Sequence, residues 1–479
     1  MLNYYQKNGE GKHDIKVIIF TLIFFCISLA VLTNCGSASG GAADPPAAAS
    51  RATINGPTID PDNYQGINNA VAAAALVNGT VKVSDAQTLI DNLTVPANVA
   101  LQIDRGGLII DVSGYTLTIK GPFSAGLYQA FSGFKPRQVT FGDGAVGAVY
   151  AEWWGVTGTA DDVPINDAIA SYGSAAGGIV QLLNKTYNLS NILTVGSRHL
   201  QGTGWQSTFI NQTGNYYAAS VGAYGSISDL SITGTSATLG GVNISNSGIG
   251  ELANLHIQGL TNPSAVAVNI YNSYRQKLNF LYIYNCSTGL IINGVTTFDA
   301  NKVEIAQAGI KAIKSYNQNV QVTFRSPILE SNYDNVVADF SAGHGYYKFE
   351  DADFEDNGTG TNPVIFQFGP DDQVLFEHCD FEGFHLAGVS GTLTDMAVNS
   401  GAVQLMLTDN YITNMASERH FVDDTGASIT SESNYLASNS LTLSELMSAA
   451  FFVDAGNSPS IKEVNDCYWT PGGVEYYSR

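Results

Sequence analysis

Four acidic residues recur at equivalent places in a repeat, and they set the first chemical question. Phe349-Glu350-Asp351-Ala352-Asp353-Phe354-Glu355-Asp356-Asn357 lies over Phe376-Glu377-His378-Cys379-Asp380-Phe381-Glu382-Gly383-Phe384 without a gap, and Phe324-Arg325-Ser326-Pro327-Ile328-Leu329-Glu330-Ser331-Asn332 precedes both in the same frame. Asp353 and Asp380 then share one outward column, and Glu330, Glu355 and Glu382 share another. Strands stacked as rungs lie about 4.8 Å apart, so column neighbours approach to ~5 Å and diagonal partners to ~7–8 Å. Crowded carboxylates push one another's proton affinities apart, which lets one serve as an acid and its neighbour as a base near neutrality. Glycoside hydrolysis uses such pairs at ~5 Å for retention and ~6.5–9.5 Å for inversion, and this face offers both spacings. Asp353 and Asp380 are therefore the central candidate catalytic pair, flanked by Glu355 and Glu382. The same column also suits a solvated acidic surface, a habit of turn packing, or part of the oxygen shell of a Ca²⁺ ion, the one cofactor the pattern would accommodate.

Two further residues stand beside these acids. His378 shares a strand with Asp380 and falls in register with Asp351, so it is a candidate proton carrier or sugar-binding residue as well as a simple exposed histidine. Arg325 shares a column with Glu350 and Glu377; substrate binding and neutralisation of those two acids are both open to it. Asn332, Asn357 and Asn414 follow their strands at matching positions and read as stacked turn residues hydrogen-bonding along the repeat.

The elements that must position these groups follow from the same alternation. Each segment reads large apolar, polar, polar, small, polar, large apolar, Glu, which is a strand with one buried face. Taking Ile232, Ile257, Ile283, Ile305, Leu329, Phe354, Phe381 and Tyr411 as the inward residues, the steps run from 22 to 30 residues. That period fits one wide turn of a parallel β-helix, in which each turn covers the next. A leucine-rich repeat has a similar period but needs a Leu-x-Leu-x-x-Asn consensus that is absent. The fold class is all-β, a single-stranded solenoid that can use 479 residues as one body.

Composition limits the partners. Fifty Gly suit many tight turns, and only 13% of residues are charged, against the profile of a disordered chain. A net charge of −21 repels nucleic acid and makes a polyanionic glycan an uncomfortable substrate. Cys26, Cys35, Cys286, Cys379 and Cys467 show no metal-ligand spacing, and Cys379 occupies an inward slot as a small hydrophobe.

Along the chain, Lys7, Lys12 and Lys16 precede the apolar run Val17–Leu32 and then Thr33-Asn34-Cys35, the layout of an export signal. It resembles a bacterial lipoprotein signal, which implies cleavage after residue 34, lipidation of Cys35 and contact with a membrane only through that lipid; ordinary secretion and a retained anchor are the alternatives. Residues 35–52 are small and Pro-rich, a flexible tether. Residues 53–151 hold short β-rich pieces such as Leu93–Val95 and Leu117–Ile119, read as smaller rungs. Ile165, Ala168, Ile169 and Tyr172 fall at i, i+3, i+4 and i+7, predicting a short helix that covers the open end of the coil. Residues 152–415 carry the main coil, and 416–479, with Leu443, Leu446, Met447 and Phe451 on one helical face, read as the C-terminal cap.

Glu152-Trp153-Trp154-Gly155, Asp161-Asp162, Ile165–Ile169, Gly177–Leu182, Thr186-Tyr187, Leu200–Gly204 and Ser207–Ile210 together resemble the opening segment of the pectate-lyase-like right-handed parallel β-helix superfamily. Within it they are most similar to the branch of rhamnogalacturonase-related, epimerase-related and tailspike-like proteins. The resemblance implies a right-handed coil and a polysaccharide partner but no single reaction, because that fold hosts lyases, hydrolases, epimerases and binding proteins. Polygalacturonase-type motifs are not reproduced: Gly343-His344-Gly345 precedes Asp371-Asp372 in reversed order, and the accompanying motifs are absent. The expected function is an exported cell-surface protein acting on polysaccharide as a hydrolase or lyase. The alternatives are a non-catalytic carbohydrate-binding or adhesive surface protein and a structural part of an envelope assembly; the oligomeric state is left open.

Overall fold

A computed structural model describes residues 54–173, 177–245 and 248–333, then 336–355, 357, 364–369, 372–382, 396–398, 404–412, 422–424, 428–437, 452–454, 461–464, 466–469 and 476–477. All belong to one unit, Ala52–Arg479. The signal at residues 1–34, Cys35, the tether, Asn414 and the helix expected around Leu443–Phe451 lie outside the described residues.

A two-residue strand, Thr58–Ile59, pairs in parallel with Thr80–Val81, and a cover follows it. Asp60 accepts the Asp62 amide at 3.0 Å to start a short 3-10 turn, and the helix Ile67–Val77 follows. Ile67, Ala70, Val71 and Ala74 are buried, a stripe at i, i+3, i+4 and i+7 that packs on the first strands. Asn78 ends the helix in the left-handed conformation at φ 53°. Three small turns come next, with strands Thr80–Val83, Ala86–Thr88 and Leu93–Val95 paired in parallel to Ala100–Ile103, Leu108–Ile110 and Leu117–Ile119, and these to Phe123–Ala125, Phe131–Ser132 and Val139–Phe141. The helix expected near Ile165–Tyr172 is present as Asp162–Ala170, but it sits after these turns, so the cover of the first end is Ile67–Val77. Its alanine-rich sequence is apolar on nearly every side, so no contrast between faces marks it as a cover.

The main sheet then winds as a right-handed parallel β-helix, the whole solenoid making about 13 turns. The expected inward column is observed: Ile232, Ile257, Ile283, Ile305, Leu329, Phe354 and Phe381 pair in succession and are all buried. A second inward column stacks Phe324 on Phe349 at 5.1 Å and Phe349 on Phe376 at 4.9 Å, with nearly parallel rings. Tyr411 is a correction. It pairs with Asp380 and is 42% exposed, while Ile412 pairs with Phe381 inside. The connecting loop is one residue longer than the pattern implied, and with a side-chain period of two a single step exchanges the faces.

Nine successive turns among the described residues bend at the same corner. Asp229, Asn254, Phe280, Lys302, Ser326, Asp351, His378, Asp409 and Ser433 occupy one stacked position, all left-handed with φ between 47° and 60°. Asn and Asp tolerate this conformation well; Phe280 and Lys302 carry a steric cost of roughly 1 kcal/mol each. Buried amides secure the opposite side of the short strands. Asn332 Nδ2 donates to Asn357 Oδ1 at 2.8 Å and Asn357 Nδ2 to the Leu329 carbonyl at 2.6 Å, the ladder anticipated for those two residues. A second ladder runs through Asn410, Asn434 and Asp466 at the slot that Cys379 fills one turn earlier.

Parallel pairing does not stop near residue 415. Tyr411–Ile412 pairs with Tyr435–Leu436, and Tyr435–Ala437 with Cys467–Trp469. Only then does an antiparallel strand, Tyr476–Tyr477, close on Cys467–Tyr468. The segment expected to be a C-terminal cap therefore contributes further rungs.

Candidate functional site

The outward neighbours of the inward column form one continuous line. Ser231, His256, Tyr282, Glu304, Ile328, Asp353, Asp380, Tyr411 and Tyr435 are successive register partners. At ~4.8 Å per rung, the eight positions from His256 to Tyr435 span roughly 34 Å. Aromatic groups stand at both ends, with acids between them.

The predicted pair is brought together. Asp353 and Asp380 are adjacent in register and half-buried, and Glu355 pairs with Glu382 in the column two residues on. Glu355 is exposed; the side chain of Glu382 lies outside the described residues. His378 sits at the left-handed corner between two carboxylates, with Nδ1 3.7 Å from Asp351 and Nε2 3.6 Å from Asp409, and all three are exposed. It therefore stands at the edge of the acid column. Arg325 does pair with Glu350, at 3.7 Å, but its closest partner is Asp299, which the repeat had not indicated. Glu377 is neutralised by Lys348 at 2.7 Å, which holds that carboxyl below its usual range. Lys348 also reaches Glu350 at 3.4 Å, so this flank is a chain of alternating charges. The expected Arg325–Glu377 pairing fails because the two residues are two rungs apart and Lys348 lies between them.

The structure adds a cleft that the repeat did not reveal. A recess of about 430 Å³ lies immediately before Asp353 in the column. Leu255, Leu281 and Ile328 line it, Tyr282 and Glu304 stand in the outward column, and Asn254, Phe280, Lys302 and Ser326 come from the left-handed corner. Trp205 closes it from a distant loop. The hydroxyl of Ser231 donates to the Trp205 carbonyl, and Gly204 N–H donates to the Asp229 carbonyl at 2.8 Å, fixing the loop against the corner. Gly204 has φ 142°, a conformation in which a side chain is strained.

Trp205 meets His256 edge-on with ring centres 5.6 Å apart, His256 stacks on Tyr282 at 4.8 Å, and Tyr282 on Tyr284 at 5.9 Å. Phe280 is 55% exposed, with the Lys302 ammonium 5.0 Å from its ring centre. Burial lowers the proton affinity of His256, keeping the imidazole neutral near pH 7, and its Nε2 makes no hydrogen bond among the described residues. Burial, with Glu330 nearby, raises the carboxyl of Glu304 above its ordinary value. A carboxyl shifted this way beside aromatic faces can accept or donate a hydrogen bond to a hydroxyl group. Sequence alternation could have flagged His256, Tyr282 and Glu304, since each precedes an inward Ile; no local signal could have placed Trp205 there. Among the described residues, no three His, Cys, Asp or Glu side chains converge as a metal site.

Against known proteins, no family model and no curated sequence matches this chain. Among solved structures it is similar to Geobacillus virus E2 ORF18, at 16% identity and a TM-score of 0.39, over 69% of this chain and 63% of that one. It is also similar to PfbA, a surface adhesin of Streptococcus pneumoniae, at 12% identity and a TM-score of 0.40 over 69% of this chain and 94% of that one. A second structure of PfbA aligns at 9% identity and a TM-score of 0.25 over 86% of this chain and 97% of that one. The chain thus spans less than two thirds of the phage protein's length, and likenesses this distant carry no argument about function.

Proposed function

We propose that this chain is an exported surface protein that acts on polysaccharide along the outward column from His256 to Tyr435, with Asp353 and Asp380 as the central catalytic pair and Glu355 and Glu382 flanking them. The observation that supports this reading is the register itself: two half-buried carboxylates, one rung apart, stand in a single line between aromatic groups. A glycan laid along the coil would cross both carboxylates, and their mutual repulsion would separate their protonation states. Export and lipidation at Cys35 rest on the apolar run Val17–Leu32 and the cysteine after it; incorporation of labelled palmitate, lost in Cys35→Ser, tests that part.

A polysaccharide panel tests the activity. Reducing ends indicate a hydrolase and unsaturated products a lyase, and Asp353→Asn and Asp380→Asn should each abolish product with the thermal midpoint nearly unchanged. Product at wild-type rates from both variants would remove these residues from the chemistry. A second reading, a carbohydrate-binding or adhesive surface protein without turnover, is favoured by the position of the recess, which lies over Tyr282, Glu304 and Ile328 rather than over the acid pair. Binding without any product would select it.

A further inference from the structure

The recess formed by Trp205, Phe280, Tyr282, Glu304 and Ile328 has the composition of a sugar subsite, and its charge narrows the sugar. We infer that it binds an uncharged pyranose unit of a polysaccharide, one C–H face against the aromatic and aliphatic wall and a hydroxyl donating to Glu304; this rests on the column's role in holding a glycan.

Three features carry the inference. The wall is mostly apolar, with Leu255, Leu281 and Ile328 beneath an exposed Phe280 and a Trp205 that is 38% exposed, so an occupant must offer an apolar face. Apart from Lys302, its polar groups are hydrogen-bonding amide, hydroxyl and carboxylate groups, suited to fixing hydroxyls rather than neutralising charge. The electrostatics then exclude an acidic sugar. Glu304 lies within the influence of Glu330, Asp353 follows Ile328 in the column, and the chain carries −21 overall. Lys302 is the single cation in the lining, and it is engaged over the Phe280 ring. A polyuronate would bring one carboxylate per unit against these acids. The position adds a direction: a chain seated on Trp205 and Tyr282 and continuing up the coil meets Asp353 and Asp380 next.

Affinity gel electrophoresis of the full chain in neutral glucans, xylans and mannans and in polygalacturonate tests this. At least one neutral polysaccharide should retard the wild type, and polygalacturonate should retard it less. Trp205→Ala and Tyr282→Ala should weaken that binding at least about tenfold, and Trp205→Phe, which keeps an aromatic face, should largely restore it. Preferred binding of polygalacturonate would overturn the assignment of an uncharged sugar. Binding unchanged in Trp205→Ala and Tyr282→Ala but lost in Tyr411→Ala and Asp380→Asn would overturn the subsite and leave the column reading standing. No retardation by any polysaccharide would overturn both.

Discussion

Asp167 offers a quantitative test of how the helix Asp162–Ala170 is held on the coil. Its side chain is 7% exposed, Oδ1 has no hydrogen-bond partner among the described residues, and burial alone pushes its carboxyl up from 3.8 to about 6. A rise of roughly two units is worth about 3 kcal/mol between the protonated and ionised native states. The folded carboxyl binds its proton more tightly than the unfolded one, so the stability it contributes is fully present below about pH 4. That contribution falls as pH climbs to about 6 and stays lost above. Asp167→Asn mimics the protonated form and should abolish the dependence. Urea unfolding followed by tryptophan fluorescence, with Trp153 and Trp154 in the turn against this helix, should show the two proteins nearly equal at pH 4. At pH 8 the Asn variant should be more stable by up to about 3 kcal/mol. All other titrating groups are common to both chains and cancel in the difference. A difference that stays constant from pH 4 to 8 would refute the reasoning, because it would mean that Asp167 is solvated or paired in the native protein.

Other consequences concern the interior. Asn357→Ala removes the acceptor of Asn332 and the donor to the Leu329 carbonyl, leaving buried polar groups unmatched; a loss of about 2–4 kcal/mol in denaturant unfolding is expected. Phe349→Ala opens a void between Phe324 and Phe376 and should cost about 3–5 kcal/mol, with Phe349→Leu costing clearly less in the same assay. Cys286 and Cys379 are free and buried, with thiols pushed up to about 12. Peptide mapping after maleimide treatment at pH 8 should find both unmodified in the folded chain and labelled once denaturant is added; rapid labelling of either in the native protein would contradict its place in the core.

The sequence alone determined the coil. Alternation along a strand is local, and its recurrence every turn requires no knowledge of the turns themselves, so the piling of Leu329, Phe354 and Phe381, the inward slot of Cys379 and the adjacency of Asp353 to Asp380 were all legible. The carboxylate column followed because side chains two residues apart on one strand must share a face. What escaped depended on how many residues each turn consumes and on loops that leave the repeat. One extra residue before Tyr411 turned it outward and put Ile412 in its place. Lys348, not Arg325, neutralises Glu377 because the ion pairs form between neighbouring rungs, at a spacing the repeat sets but with partners from a different strand position. Only the tertiary structure could bring Trp205 to His256 and Tyr282, since that approach needs a loop held by Ser231 and by the corner at Asp229. A recess is a property of surfaces meeting, and those surfaces come from segments whose local patterns carry no record of one another.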